Sequence, residues 1–137
     1  TNERRQGYGH PNKTWALEQI KAGTAGKGCE FLVISNSDNY YVPGFCGAML
    51  AGFDNVTLAV YCAEMVHNYT KWSTINCCLE RGRIDIGQIM WRTQPAVDLG
   101  WGGGVDHSED WFFIERFLQR HHRCEFKQVN GCLFIHN

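Results

Sequence analysis

Apolar residues recur along this chain at two kinds of spacing, and each kind predicts one type of secondary structure. Apolar positions three and four residues apart predict helices, whereas short apolar runs bounded by turn residues predict buried strands. One run, VTLAVYCA, is apolar on both of the faces that a strand would present. By these signals we expect helices over 14–22, 70–81 and 107–121, and strands over 29–35, 56–63 and 86–93.

The last part of the chain carries a hairpin signal at Asn130-Gly131. Asn-Gly between two β-prone runs favours a type I′ turn, because that turn needs a positive φ at both central residues. A two-residue loop fixes the register, which places Phe126, Leu133 and Ile135 on the core face. The predicted partners are Val129 with Cys132, Gln128 with Leu133, Lys127 with Phe134, Phe126 with Ile135, and Glu125 with His136.

Together these elements predict an α+β fold. We expect an antiparallel β-sheet of about four to five strands with two to three helices, reinforced by disulfides. No internal repeat or linker divides the sequence, so residues 1–137 are expected to form one domain. A chain of 137 residues can bury a substantial core without help from a metal or a partner. Residues 1–12 are mostly polar and are expected to be mobile.

The balance of charges argues against two classes of partner. The chain has 13 basic and 14 acidic residues and a net charge of −1. It therefore lacks the broad positive field that attracts nucleic acid or an anionic membrane surface, and we expect neither as a partner. No apolar run approaches the roughly 20 residues of a membrane span. The polar start at Thr1 predicts a mature chain from which a signal peptide has already been removed.

Three glycosylation acceptors and seven cysteines together indicate the secretory route. The N-x-[ST] pattern occurs at Asn12-Lys13-Thr14, Asn55-Val56-Thr57 and Asn68-Tyr69-Thr70. Any one triplet is weak, because Asn, Ser and Thr are common residues. The combination with abundant cysteine predicts a secreted, extracellular glycoprotein.

An odd number of cysteines leaves one without a partner in the chain. Cys62 lies in the apolar run VTLAVYCA, where a thiol behaves as a small hydrophobe, so we expect it to be the free one. Neighbouring cysteines on a helix point about 100° apart, so Cys77 and Cys78 should each have a distant partner. The predicted register puts Cys132 and Cys124 on opposite faces, so these two should not bridge. Three disulfides are thus expected among Cys29, Cys46, Cys77, Cys78, Cys124 and Cys132.

Two clusters could carry chemistry, but each has a simpler structural explanation. Acid-base groups at Asp106, His107, Glu109 and Asp110 follow the glycine-rich LGWGGGV, and a hydrolase could use such a set. Capping of the helix at 107–121 explains Asp106 and Glu109 without catalysis. His121, His122 and Cys124 resemble soft metal ligands, yet cations also favour a helix C-terminus, and no second ligand pair has zinc-finger spacing. We expect no metal and no cofactor.

Small size, secretory signals, several cysteines and the absence of a reaction motif resemble the secreted effectors of plant-associated fungi. The chain is most similar to the LARS effectors (Leptosphaeria avirulence and suppressing) and their leaf-mould relatives. Their Trp-Arg-apolar-Arg motif is matched at two of four positions by Trp91-Arg92-Thr93-Gln94. The resemblance implies a four-stranded antiparallel sheet with helices and disulfides, a structural role for Trp91 and Arg92, and no catalytic activity.

Two functions are compatible with the sequence. The first is a non-enzymatic effector that binds a host plant protein or immune receptor, in the apoplast or after uptake into host cells. The second is a small secreted hydrolase, ribonuclease-like, with His107 and Glu109, or His121 and His122, as acid and base. We expect the first, because no compact catalytic set is evident in the sequence.

Overall fold

The structure, a computed structural model, describes residues 9–68, 71–102 and 108–137. These residues form four α-helices and six β-strands, which confirms the α+β class. No helix among them is long and apolar enough to cross a membrane. The helices are α1 (His10–Lys21), α2 (Phe45–Ala51), α3 (Thr93–Leu99) and α4 (Glu109–Arg120), and the strands are β1 (Phe31–Val33), β2 (Tyr40–Tyr41), β3 (Ala59–His67), β4 (Ser73–Asn76), β5 (Ile89–Arg92) and β6 (Phe126–His136).

The strands form one mixed sheet rather than the antiparallel sheet expected from the sequence. Their order is β1-β5-β3-β6-β2, and β4 pairs with β3 beyond the end of β5. Strands β3 and β6 are parallel, whereas the other described pairs are antiparallel. A parallel pair needs a crossover connection, and α4 supplies it on the path from β5 to β6. Consequently β1, β3 and β6 all point in the same direction.

Two apolar clusters cover the two faces of the sheet. In the first, Trp91 packs edge-on against Phe113 and lies 4.8 Å from the ring of Phe117. In the second, Phe45 and Phe134 are buried together on the side of α2. Complete burial of one such aromatic side chain stabilises a fold by roughly 1.5–3 kcal/mol. The two clusters explain why β3 is apolar on both faces.

The C-terminal hairpin prediction is wrong. Residues Phe126–His136 form a single strand that pairs with β3 along its length, so the predicted partners, from Val129 with Cys132 outward, do not form. Cys62 faces Val129 and Glu64 faces Cys132, so Asn130-Gly131 lies in a bulge of β6. Gly131 has the positive φ (107°) expected of such a position. Pairing with β3 buries Phe134, which the hairpin would have placed on the face opposite the core.

The predicted helix over 70–81 is wrong as well. Ser73–Asn76 form β4, and Met65 of β3 faces Ile75 across the pair. The spacing of Trp72, Ile75 and Leu79 suggested one buried helical face. In the structure, however, Trp72 is 57% exposed while Leu79 is buried. Residues 69–70 lie outside the described residues.

The remaining predictions correspond to observed elements with shifted ends. The predicted strands over 29–35, 56–63 and 86–93 contain or overlap β1, β3 and β5, and the helices over 14–22 and 107–121 correspond to α1 and α4. Helix α1 begins at His10, so residues 10–12, expected to be mobile, are helical. Pro11 suits that first turn, where a missing N–H costs nothing. Strand β2 and helices α2 and α3 were not predicted.

The cysteines do not form the expected disulfides. All seven lie in the described part of the chain, and all seven are free thiols. Cys77 and Cys78 follow β4 instead of lying on a helix. Cys62 is buried, and burial raises the pKa of its thiol to about 12, which makes it unreactive at neutral pH. The two apolar clusters form the core of the fold. The thiols at Cys29, Cys46 and Cys124 are exposed.

Candidate active site

A cavity of about 870 Å³ opens at one edge of the sheet. The segment from Ser35 to Asp38 follows β1, and His136 ends β6, so both come from the carboxyl ends of strands that point the same way. Asp85 lies just before β5, which is antiparallel to β1 and therefore starts at the same edge. The crevice outside the carboxyl ends of parallel strands is the usual place for ligands in open α/β sheets.

Two helices begin at this cavity. Its walls include Gly9 and His10 at the start of α1, and Ser108 and Asp110 at the start of α4. Neither N-cap residue, Gly9 or Ser108, caps its helix with a side-chain hydrogen bond. First-turn N–H groups and the positive end of the helix dipole both favour an anion. The cavity therefore has two anion-favouring helix ends on its wall.

Two cationic side chains add to this positive potential. Lys13 Nζ lies 2.9 Å from Asp110 Oδ1 and 4.6 Å from the centroid of the Trp101 ring. The Lys13 side chain is only 9% exposed, so its charge is held in place by the carboxylate and the ring. Arg81 Nη2 donates to Ser108 Oγ across 2.6 Å. The ion pair of Lys13 and Asp110 thus joins the start of α1 to the start of α4, and both cations lie on the cavity wall.

A carboxylate and an imidazole, Asp85 and His136, also meet on the cavity wall. Asp85 Oδ2 lies 3.6 Å from His136 Nε2, while Asp85 Oδ1 accepts a hydrogen bond from Gly87 N at 2.7 Å. Burial raises the pKa of Asp85, although the Gly87 N–H and His136 act in the opposite direction. Gly87 has no room for a side chain, because a Cβ there would lie 2.8 Å from the Phe134 ring. A titratable pair with a perturbed pKa in a cleft is a candidate for acid-base chemistry.

The rest of the wall is rich in neutral polar groups. Asn12, Ser35, Asn36 and Ser37 contribute amides and hydroxyls, and Asp38 adds an exposed carboxylate in the loop after β1. Among the described residues, no group of three or more His, Cys, Asp or Glu could hold a metal ion. Mg²⁺, however, commonly takes one or two protein carboxylates and completes its shell with substrate phosphates and water. Asp38 could hold a cation in that way, together with a ligand.

The acid-base residues singled out from the sequence have different positions. Asp110 lines the cavity, and Glu109 is the first residue of α4, whereas Asp106 and His107 lie outside the described residues. His121 and His122 follow the far end of α4 and do not line the cavity. The ring of His121 packs against Phe117 with centroids 4.5 Å apart, and no metal group forms there with Cys124 among the described residues.

Trp91 and Arg92 occupy structural positions away from the cavity. Trp91 is fully buried among the aromatic side chains of α4. Arg92 Nε donates to Thr57 O at 2.9 Å, and Arg92 Nη2 donates to Asp54 O at 2.8 Å. They attach β5 to the helices and to the segment before β3. The resemblance to the LARS effectors stays a prediction.

The three glycosylation acceptors are exposed. Asn12 lies in the first turn of α1, Asn55 in a bend before β3, and Asn68 directly after β3. Asn68 Nδ2 contacts Asn137 Oδ1 at 3.5 Å. Glycosylation stays a prediction at all three positions. A glycan on Asn12 would also crowd the cavity, because Asn12 lines it.

Sequence reasoning missed most of the site, namely Lys13, Asp38, Arg81, Asp85 and His136. These residues are scattered from α1 to β6, and no two of them form a motif. One signal was present, since the polar run Ser35-Asn36-Ser37-Asp38 follows a buried strand directly, where α/β sheets place ligand-binding loops. A scan of protein families gives no match for this chain, and a search of curated proteins finds none that is significantly similar.

Proposed function

We propose that the protein is a transferase that binds a sugar activated by a nucleoside diphosphate and passes the sugar to an acceptor hydroxyl. One observation carries the proposal: two helix N-termini and two cations converge on a cavity that also contains carboxylates at Asp38 and Asp110. The proposal rests on what such a set of groups recognises, which is a phosphorylated ligand accompanied by a divalent cation.

The charges on the wall fit a diphosphate better than a simple carboxylate or a neutral ligand. Lys13, Arg81 and the two helix ends favour the phosphate oxygens. The carboxylate of Asp38 would repel the same oxygens unless a cation offset its charge, whereas the carboxylate of Asp110 is already paired with Lys13. Asp38 would hold a Mg²⁺ or Mn²⁺ ion that accompanies the ligand, and the ion would offset the negative charge of the diphosphate; such a site needs few protein ligands.

The neutral part of the wall fits a sugar. Amides and hydroxyls at Asn12, Asn36 and Ser37 can exchange hydrogen bonds with sugar hydroxyls, and Trp111 offers a flat apolar surface. Small-molecule sites usually have volumes of about 300–1,000 Å³. A cavity of about 870 Å³ can therefore accommodate a nucleotide together with an attached sugar.

The reaction would break the bond from the anomeric carbon to the phosphate oxygen and form one to the acceptor oxygen. The bonding electron pair leaves with the diphosphate, whose growing charge Lys13 and the cation would stabilise. The acceptor hydroxyl must lose a proton, and Asp110 is the better placed base. The side chain of Asp110 is 23% exposed and that of Asp85 is 12% exposed, so Asp110 is the more accessible of the two, although each already has a partner, Lys13 for Asp110 and Gly87 N for Asp85. The pair of Asp85 and His136 would shape the adjacent wall.

The first experiment measures binding by calorimetry with UDP, GDP and ADP, each with Mn²⁺ or with EDTA. We expect one diphosphate to bind with Mn²⁺ and at least tenfold more weakly with EDTA. Asp38→Asn should weaken binding at least tenfold. Asp98→Asn is the matched control, because Asp98 is exposed on α3 and does not line the cavity. Equal binding by both variants, or no binding of any diphosphate, would refute the proposal.

The second experiment measures turnover. Native protein is incubated with nucleotide sugars and mixed alcohol acceptors, and the released nucleoside diphosphate is quantified. Asp110→Asn should keep diphosphate affinity within about threefold but lose turnover at least a hundredfold, because it removes a base and keeps the shape. Loss of affinity in parallel with turnover would show that Asp110 binds the ligand and is not the base.

The two functions inferred from the sequence stay predictions. The hydrolase has one observation in its favour, the acid-base pair of Asp85 and His136 in the cavity. RNA cleavage near pH 5 to 7 by native protein, abolished in Asp85→Asn, would favour it over transfer. The secreted effector that binds a host protein is supported by the exposed Asn12, Asn55 and Asn68 acceptors, which suit passage through the secretory route.

A further inference from the structure

A second cavity, of about 440 Å³, lies beside the first and has a different character. Val33, Tyr41, Val42 and Phe45 give it apolar walls, and none of its lining residues is charged. Ser35 lines both cavities, so the two adjoin at the loop that follows β1. A molecule with a polar end in the first cavity can therefore extend an apolar end into the second.

The walls of this second cavity are held in place. The Tyr41 hydroxyl donates to Gly87 O at 2.9 Å, and its ring lies 4.6 Å from Phe45 and 5.5 Å from Phe134. Gly44 and Gly47 line this cavity, and a Cβ at either would meet no atom within 4 Å, so the space beside them is open. The aromatic wall of this cavity is thus anchored to Gly87, two residues after Asp85 of the first cavity.

We infer that the second cavity takes the apolar part of the acceptor, an aliphatic chain or aromatic ring joined to the reacting hydroxyl. This inference rests on the proposed function. A sugar or a charged group in this space would lose hydration with few partners in return, which costs free energy. An apolar group gains stability in proportion to the area that it buries. Because Ser35 lines both cavities, an acceptor with its apolar part in the second cavity would have its hydroxyl end toward the first.

An exposed thiol on the wall provides a direct probe. Cys46 lines the second cavity, whereas Cys29 and Cys124, which are also exposed, line neither cavity and serve as internal controls. Native protein is alkylated with iodoacetamide in buffer that contains millimolar 2-phenylethanol. The polar control contains glycerol at the same concentration. Peptide mapping gives the rate at each cysteine. We expect 2-phenylethanol to slow alkylation of Cys46 at least threefold and to leave the other two unchanged.

Two variants test whether protection requires the cavity. Gly47→Leu adds a side chain where the structure has open space, so it should fill the cavity and abolish the protection of Cys46. Ala51→Leu adds the same side chain one turn along α2, at an exposed position outside the cavity lining, and should keep the protection. Equal slowing at all three cysteines, or equal slowing by glycerol, would overturn the inference.

Turnover separates this inference from the function on which it rests. With the nucleotide sugar that is active, 2-phenylethanol should be used with at least tenfold higher kcat/KM than glycerol, and Gly47→Leu should remove that preference without weakening diphosphate binding. If a donor turns over with no preference and Cys46 is not protected, the inference is wrong and the proposed function stands. If Cys46 is protected but no diphosphate binds, the acceptor role and the proposed function are both wrong.

Discussion

Two aspartates at opposite ends of the sheet show how differently one residue type behaves. Asp54, near the starts of β3 and β6, accepts hydrogen bonds from Lys127 Nζ at 2.5 Å and from Thr57 Oγ1 at 2.6 Å. These partners hold the pKa of the Asp54 carboxyl well below its usual range. Asp85, at the cavity end, is largely enclosed, and burial raises the pKa of its carboxyl.

The difference separates a structural charge cluster from a candidate site. Around Asp54, each charge has a hydrogen-bonding partner, and Arg92 attaches to carbonyls of the same segment. Such a cluster has no reason to change its protonation near neutral pH. At the cavity, the charged side chains of Lys13, Asp85 and Asp110 are largely enclosed, which is the condition under which side chains bind ligands or exchange protons.

The largest expected effect is at the cavity end, where Lys13→Met removes the partner of Asp110. The Lys13 side chain is 9% exposed, so the substitution leaves a carboxylate in a partly enclosed place. We expect the free energy of unfolding to fall by about 2–3 kcal/mol, less than for a fully buried pair. Urea denaturation measures it. The double variant Lys13→Met with Asp110→Asn should regain at least half of the loss, and a single variant as stable as the native protein would contradict this view.

The next largest loss of stability is expected at the Asp54 end of the sheet, where Arg92→Met removes two hydrogen bonds to backbone carbonyls. It also removes the guanidinium that lies 5.3 Å from the Phe31 ring and 5.5 Å from the Phe53 ring. We expect a loss of about 1–2 kcal/mol by urea denaturation. Arg120→Met, an exposed change in α4, is the control and should cost much less. Equal losses in the two variants would show that Arg92 is not structural.

Asp85→Asn should act in the opposite direction and stabilise the protein by about 1 kcal/mol at neutral pH. Because the folded pKa of Asp85 is raised, its contribution to stability is greatest below the unfolded pKa and is lost as the pH rises through the folded pKa. The amide keeps an oxygen for Gly87 N and does not titrate. Thermal unfolding from pH 4 to pH 8 should show the gain growing with pH. A gain that is constant over this range would contradict the burial of the charge.

The smallest effect is expected for Lys127→Met, at the exposed pair with Asp54. A lowered pKa makes Asp54 stabilising above its unfolded pKa, and this contribution is lost as the pH falls through the folded pKa. The variant should therefore be slightly less stable than the native protein at neutral pH and no different in acid. Solvent and salt screen exposed pairs, so 1 M NaCl should remove the difference. A difference that persists in salt would place this pair in a less exposed environment than the structure gives it.

The secondary structure was predictable wherever local signals agreed with the long-range pairing. Strand β3 was predicted because a run that is apolar on both faces is typical of a central strand covered on both sides. In the structure, one apolar cluster covers each face of β3. Helix α4 was found because its apolar residues recur at helical spacing. The Asn130-Gly131 signal failed, since pairing with β3 gave β6 a longer ladder and buried Phe134. A turn preference of a few residues cannot compete with a ladder of that length.

The candidate site was far less predictable. Asp110 was noticed because it lies in an acidic cluster, but nothing local connects it with Lys13, which precedes it by 97 residues. Asp85 and His136 meet only because β5 begins at the edge of the sheet where β6 ends. The expected disulfides were inferred from composition, and composition carries no distance between sulfur atoms.

The sequence by itself determined the apolar periodicities, and with them α1, α4, the two-faced β3 and the balance of charge. These are properties of neighbouring residues, so they can be read without knowing the partners. Only the tertiary structure decided the parallel pairing of β3 with β6, the state of the seven cysteines and the opposite pKa shifts of Asp54 and Asp85. The physical reason is that solvation and proximity depend on which edges pair and what covers them, and those contacts join residues far apart in the chain.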